Sequence, residues 1–240
     1  MRQKAARFEM NSNASSERAV RNSCALTFCI LMMLVSTGHS GVAQDREALV
    51  FPLRLHVARR AGQSTAPIVH DAWLREQVAT ANILFAPHGV EFWAEERLRL
   101  SDRHAELETR ADRHALGALL DHARIDVFIV RSLRDVDDPT LMRRGVHWRP
   151  VGRPGAHFVV VSSIAGSTVL AHELGHYFGN PHSPTAGNIM SYERGDGPPF
   201  FDSAQGRRIR RFARNFAQMR SPMPSSRSAR DELPAEITLP

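Results

Sequence analysis

His172-Glu173-Leu174-Gly175-His176-Tyr177-Phe178-Gly179-Asn180-Pro181-His182 is the stretch from which the rest of the 240-residue chain is read. At 3.6 residues per turn, positions four apart share a helix face, so His172 and His176 can turn their imidazoles toward one ion. Neutral imidazole nitrogen suits Zn²⁺ at about 2.0–2.1 Å. Glu173 lies about 100° round the helix from the first histidine, where its carboxylate reaches a metal-bound water without ligating the ion. Gly179 tolerates the positive φ that ends a helix and turns the chain back. His182 then closes a site of three protein ligands, and three ligands leave a position open for water, the arrangement of a catalytic rather than a structural zinc. The helix is otherwise apolar, with Val169, Leu170, Leu174, Tyr177 and Phe178. A buried helix carrying two histidines and a glutamate needs a partner for those polar groups, and a metal is one.

Outward from the motif, hydrophobic periodicity sets the other elements. The motif helix is expected from Ser167 to Phe178, with Ser167 or Thr168 as its cap. Before it, Ala156–Ser162 reads as a buried strand and Gly145–Arg149 as a short strand at a sheet edge. Ile125–Val130 is apolar enough for a central strand. Leu49–Val57 is another strand, and Val90–Trp93 begins one more. Between these two, Trp73, Leu74, Val78, Ala81, Leu84 and Phe85 recur at helical spacing over 70–85, and Pro87-His-Gly89 stops that helix. Ser101 or Asp102 is expected to cap a polar helix running toward His122. After a Gly/Pro-rich loop to Pro199, Asp202 caps a last helix to about Met219. The expected fold class is α+β, a mixed, twisted five-stranded sheet with three main helices.

Composition bounds the partners. Apolar residues make up 42% and charged residues 23%, which is globular composition, and the net charge is +6, with Lys4 the single lysine. No basic run is interleaved with stacking aromatics, so a nucleic-acid partner is not expected, and the run Arg207–Arg214 reads as a solvated face. Residues 1–43 read as a signal peptide: a polar segment with excess arginine, then Cys24–Val35, about a dozen apolar residues and short for a membrane span, then Ser40-Gly-Val-Ala43 as a cleavage site. A secreted or periplasmic protein without stable membrane insertion follows. Both cysteines, Cys24 and Cys29, lie in that segment, so a mature chain has no disulfide and no thiolate ligand. Residues 44–220 are expected as one catalytic domain, and 221–240, rich in Ser and Pro, as a disordered tail.

With the motif in view, the chain resembles the metzincin metallopeptidases, whose signature is HExxHxxGxxH followed by a Met-turn, here Asn188-Ile-Met190-Ser-Tyr192. The resemblance implies that Met190 lies beneath the metal as an apolar platform. It also implies that Tyr192 approaches the metal and stabilises the transition state. The order of elements over 49–219 is similar to that clan, although only 172–192 is specific. The Met-turn, with Phe201 and Gln205 ahead of a helix, resembles the pappalysin-like group, whereas His182-Ser183 is similar to matrixins. Pappalysin-like members usually carry cysteines around the Met-turn, and matrixins carry a propeptide cysteine switch. This chain has neither, and the few residues between Ala43 and the first strand leave no room for a pro-domain.

The function expected is therefore a zinc-dependent endopeptidase, monomeric, acting on protein or peptide, with Glu173 as general base. A zinc-binding protein without activity and a zinc hydrolase of a non-peptide amide or ester stay open beside it. His104, His114 and His122 are expected to be exposed and not ligands. Asp135, Asp137 and Asp138 could coordinate calcium through oxygen, although the loop lacks an EF-hand pattern.

Overall fold

The structure is a computed structural model that describes residues 48–62, 65–121 and 123–220. The leader expected over 1–43, the tail expected over 221–240 and His122 lie outside these residues. The elements run β1 (Leu49–Val57), α1 (Asp71–Phe85), β2 (Val90–Arg99), β3 (Glu106–Leu107), α2 (Arg110–Ala115), β4 (Ile125–Val130), β5 (Ser132–Leu133), β6 (Gly145–Trp148), β7 (Phe158–Ser162), α3 (Val169–Tyr177) and α4 (Ser203–Arg220). Five strands form one sheet in the order β2-β1-β4-β7-β6. Four are parallel and β6 runs antiparallel to β7, so the sheet is mixed and the fold class is α+β as expected.

Alternation along the strands divides the interior in two. Phe51, Leu53, Leu55 and Val57 of β1 and Val159 and Val161 of β7 face the layer of α1, α3 and α4. Phe128, Val130, Phe158 and Val160 face the other way, onto the segment 100–120. β4 and β7 are buried at every residue, as parallel strands covered on both faces must be. At the far edge, the Asn82 side chain of α1 exchanges both amide hydrogen bonds with the backbone of Phe92, at 2.8 and 2.9 Å, and so satisfies part of β2.

The polar helix expected toward His122 is not continuous. A single 3-10 turn (Asp102–His104) is followed by β3, which pairs with β5, and only then does α2 begin. The cap is Thr109, in a reciprocal capping box with Asp112, so a local signal eight residues downstream outweighed the one at Ser101. His104 is also buried rather than exposed, beside the Arg103 guanidinium, because the turn folds it under the sheet's second face. His114 is half-buried and its ring nitrogen accepts from the Trp148 indole at 3.2 Å. No helix among the described residues is long and apolar enough to cross a membrane.

Candidate metal centre

α3 is fixed at both ends by groups from elsewhere. At its start, Thr168 makes no side-chain cap. Gln77 of α1 serves instead: it accepts from the Leu170 N–H at 3.2 Å and donates to the Gly166 carbonyl at 3.0 Å. At its end, Gly179 takes φ +83°, the Asn180 N–H reaches back to the Gly175 carbonyl and the Gly179 N–H to that of His176, a Schellman turn. A Cβ on Gly179 would also lie 2.7 Å from the Phe212 ring of α4, so close packing and backbone sign both require glycine there. The turn sends the chain back across the exposed side of α3 and delivers His182.

The three imidazoles come together. One ligand nitrogen from each of His172, His176 and His182 lies within 4.8 Å of the others. The Nε2 atoms of His176 and His182 are 3.1 Å apart. Nδ1 of His172 donates to the Ile189 carbonyl at 2.6 Å, and Nδ1 of His176 to the Asn180 carbonyl at 2.8 Å. A carbonyl can only accept, so both rings carry their proton on Nδ1 and turn the Nε2 lone pair inward. Burial, first of all, holds His172, His182 and His176 below the ordinary imidazole range, His176 down to about 4. His182 Nε2 faces the His176 lone pair at hydrogen-bonding distance, and with its proton on Nδ1 it completes a set of three inward lone pairs that one cation would satisfy. A tetrahedral ion with bonds of about 2.0–2.1 Å separates its nitrogens by roughly 3.4 Å, near the 3.1 Å between the Nε2 atoms of His176 and His182 and inside the 4.8 Å that bounds all three. The donor set therefore fits zinc.

Glu173 is 6% exposed and lies against β6. A Cβ on Gly145 would be 2.8 Å from Glu173 Oε1 and 2.6 Å from Val169 Cγ1, so glycine at the start of the edge strand makes room for the carboxyl. Burial pushes its pKa up to about 8, with the His147 backbone N–H and the Arg143 charge acting the other way. Met190 is fully buried under α3, with its sulfur against the bare Cα of Gly175. Tyr192 is 73% exposed, its ring 4.5 Å from that of His182 and 6.4 Å from that of His172, so it borders the site without packing into it.

Calcium in the acidic loop finds no support. Asp135 is held by the N–H groups of Asp137 and Asp138 and by Arg143, Asp137 pairs with Arg110, and Asp138 turns back to Thr140. Among the described residues the imidazole triad is the one group of His, Cys, Asp or Glu placed to share an ion.

The Asn188 and Gln205 amides lock the turn at Met190 to the start of α4, where Gln205 and Asp202 also cap the helix reciprocally at 2.8 Å. Other residues of the site belong to no motif. Beside the cleft, His147 Nε2 and His157 Nδ1 are 2.9 Å apart and the His157 ring stacks on Tyr177 at 3.8 Å. Burial lowers His147 to about 3 and His157 to about 4. The only signal for these two was their phase: His147 of β6, opposite Val159, and His157, just before β7 and two residues from Val159, share the side that faces α3. Arg208, read as part of a solvated run, instead turns inward to Asn180 Oδ1 at 3.1 Å.

The cleft around the triad has a volume of about 880 Å³. The chain is similar in fold to mirolysin, seen in complex with a compound, with a TM-score of 0.51 and 12% identity over 74% of this chain and 99% of that one. Metalloproteinase-II from Bacteroides fragilis gives a TM-score of 0.48 at 13% identity, over 70% of this chain and 55% of that one. A zinc-dependent peptidase from Methanocorpusculum labreanum gives 0.37 at 14%, over 66% and 99%. At such identities the likeness concerns fold, and only the first superposition is close enough to support it. No protein-family model matches the chain, and no curated protein matches it.

Proposed function

We propose that this protein is a zinc-dependent endopeptidase of the metzincin type, with zinc held by His172, His176 and His182 and Glu173 as the general base. The observation that supports it best is the convergence of three imidazoles, two of them turned inward by Nδ1 bonds to Ile189 and Asn180, beside a buried carboxyl outside that ligand group. Zinc bound there supplies Lewis-acid polarisation and an acidified water. Glu173, with its proton affinity raised by burial, takes up a proton at its carboxylate and returns it to the departing amine. Tyr192, exposed beside His182, is able to swing its hydroxyl toward the developing oxyanion. β6 has a sheet neighbour on one side alone, so its outer edge offers backbone groups to an extended peptide.

The Met-turn with Gln205 favours the pappalysin-like group within the clan. The reading includes export by the leader over 1–43, a monomer and no nucleic-acid partner. The test is a metal assay on the full chain and a peptide-library digest with and without chelator. One zinc per chain and chelator-sensitive cleavage of internal peptide bonds are expected. Bound zinc without any cleavage would leave a binding protein, and cleavage of small esters or amides alone would leave a hydrolase of another class.

A further inference from the structure

Five arginines line the cleft, against three carboxylates besides the buried Glu173. Three of the arginines are committed. Arg110 pairs with Asp137. Arg113 is buried, with its guanidinium carbon 4.8 Å from the Trp148 ring centroid, and donates to the Arg134 carbonyl. Arg143 pairs through Nε with Asp135. The remaining two, Arg144 and Arg194, are exposed, and their side chains make no hydrogen bond or ion pair among the described residues. They come from different segments, Arg144 just before β6 and Arg194 in the loop after His182. Against them stands one unpaired carboxylate, Glu193.

The Arg143 pairing has a further consequence. Asp135 is 3% exposed and gripped by two backbone N–H groups, which, with Arg143, keep its carboxyl ionised down to about 2. Because Arg143 uses Nε for this contact, its two terminal nitrogens remain for another group. Arg143 lines the same cleft as Glu173 and His182, so its guanidinium stands in the space where substrate would lie. A guanidinium fixed through one edge presents a fork that suits a carboxylate. A basic side chain in the same cleft would meet the unpaired charges of Arg144 and Arg194.

We infer that the cleft selects peptides carrying an acidic side chain close to the bond that is cut, with Arg144 and Arg194 as the specificity-determining cations and Arg143 as a fixed fork near the reaction centre. This inference rests on the peptidase reading above. It is separable from the general attraction of a +6 chain for anions. The arginines of α4 line a different hollow and serve as the control.

The test uses the full zinc-loaded chain carrying Glu173→Gln, so that bound peptide is not consumed. Fluorescent decapeptides of one scaffold, with Asp, Asn or Lys at two central positions, are titrated by anisotropy at physiological salt. The Asp peptide is expected to bind about fivefold more tightly than the Lys peptide, the scale of two exposed ion pairs. That difference should vanish with Arg144→Gln plus Arg194→Gln and survive Arg207→Gln plus Arg211→Gln. In parallel, the unmutated zinc-loaded chain digests a peptide library, and acidic residues should be enriched beside the cleaved bonds. Equal affinities, a preference that follows the α4 pair, or cleavage without acidic enrichment would overturn the inference and leave the peptidase standing. Acidic binding that depends on Arg144 and Arg194, without any cleavage, would uphold the acidic selectivity and remove the peptidase.

Discussion

The side-chain amides of Asn188 and Gln205 bond to each other in both directions, at 2.8 and 3.0 Å, although 17 residues separate them. Both are buried. Asn188 Oδ1 also accepts from the Met190 N–H at 2.9 Å, so the first turn of α4 sets the shape of the loop beside the imidazole triad. Gln205→Leu leaves two buried amide atoms of Asn188 short of partners. With the acceptor of the Asp202 N–H lost as well, it should cost about 2–4 kcal/mol in chemical denaturation, from three unmade bonds, and weaken zinc binding in a competition titration. A variant as stable and as tightly metallated as the parent would show that the amide pair is dispensable.

Gly145→Ala inserts a methyl between the edge strand and Glu173. The nearest atoms, Val169 Cγ1 at 2.6 Å and Glu173 Oε1 at 2.8 Å, belong to packed groups on α3. Overpacking of this kind costs about 1–3 kcal/mol. The displaced carboxyl should lower kcat while zinc stoichiometry stays at one. Unchanged kcat in that variant means that the carboxyl position is not set by the strand.

Glu173→Gln keeps the shape and the burial but removes the proton acceptor. The variant should retain one zinc per chain and lose peptide hydrolysis by roughly 10²–10⁴-fold, the usual contribution of a positioned base. Because the residue holds no metal, a loss of zinc by atomic absorption would contradict the role assigned to it.

The His147–His157 pair should make the chain acid-labile. Both rings titrate below the ordinary 6.5 when folded, to about 3 and about 4, chiefly through burial. Below pH 6.5 the unfolded chain therefore takes up more protons, and stability falls as pH drops toward 4. For His157 this is on the order of 2–3 kcal/mol. His157→Phe keeps a ring against Tyr177 and removes the titration. Its unfolding free energy at pH 8 should fall by about 1 kcal/mol for the lost bond, yet decline less between pH 6.5 and 4.5. Parallel pH profiles for the two proteins would assign the acid lability to other groups.

Much of this was written locally. The i and i+4 histidines, the glycine stop, the alternation in β1, the unbroken apolar runs of β4 and β7 and the Asp202 cap each depend on residues within one or two turns of one another, and a local pattern reports such relations directly. The polar helix was misjudged for the same reason. Nothing near Ser101 shows that Glu106–Leu107 will pair with Ser132–Leu133, about 25 residues away.

The linear pattern by itself determined that two histidines share a helix face, that the helix must stop at Gly179, and that strands and helices must layer. Only the tertiary structure decided that Gln77 caps the motif helix, that Gly145 clears space for Glu173, and that Asn188 and Gln205 meet. Only it left Arg144 and Arg194 unpaired in the cleft. The reason is physical: a hydrogen bond, a clash or an ion pair between distant segments is fixed by how layers pack, and packing geometry has no period along the chain.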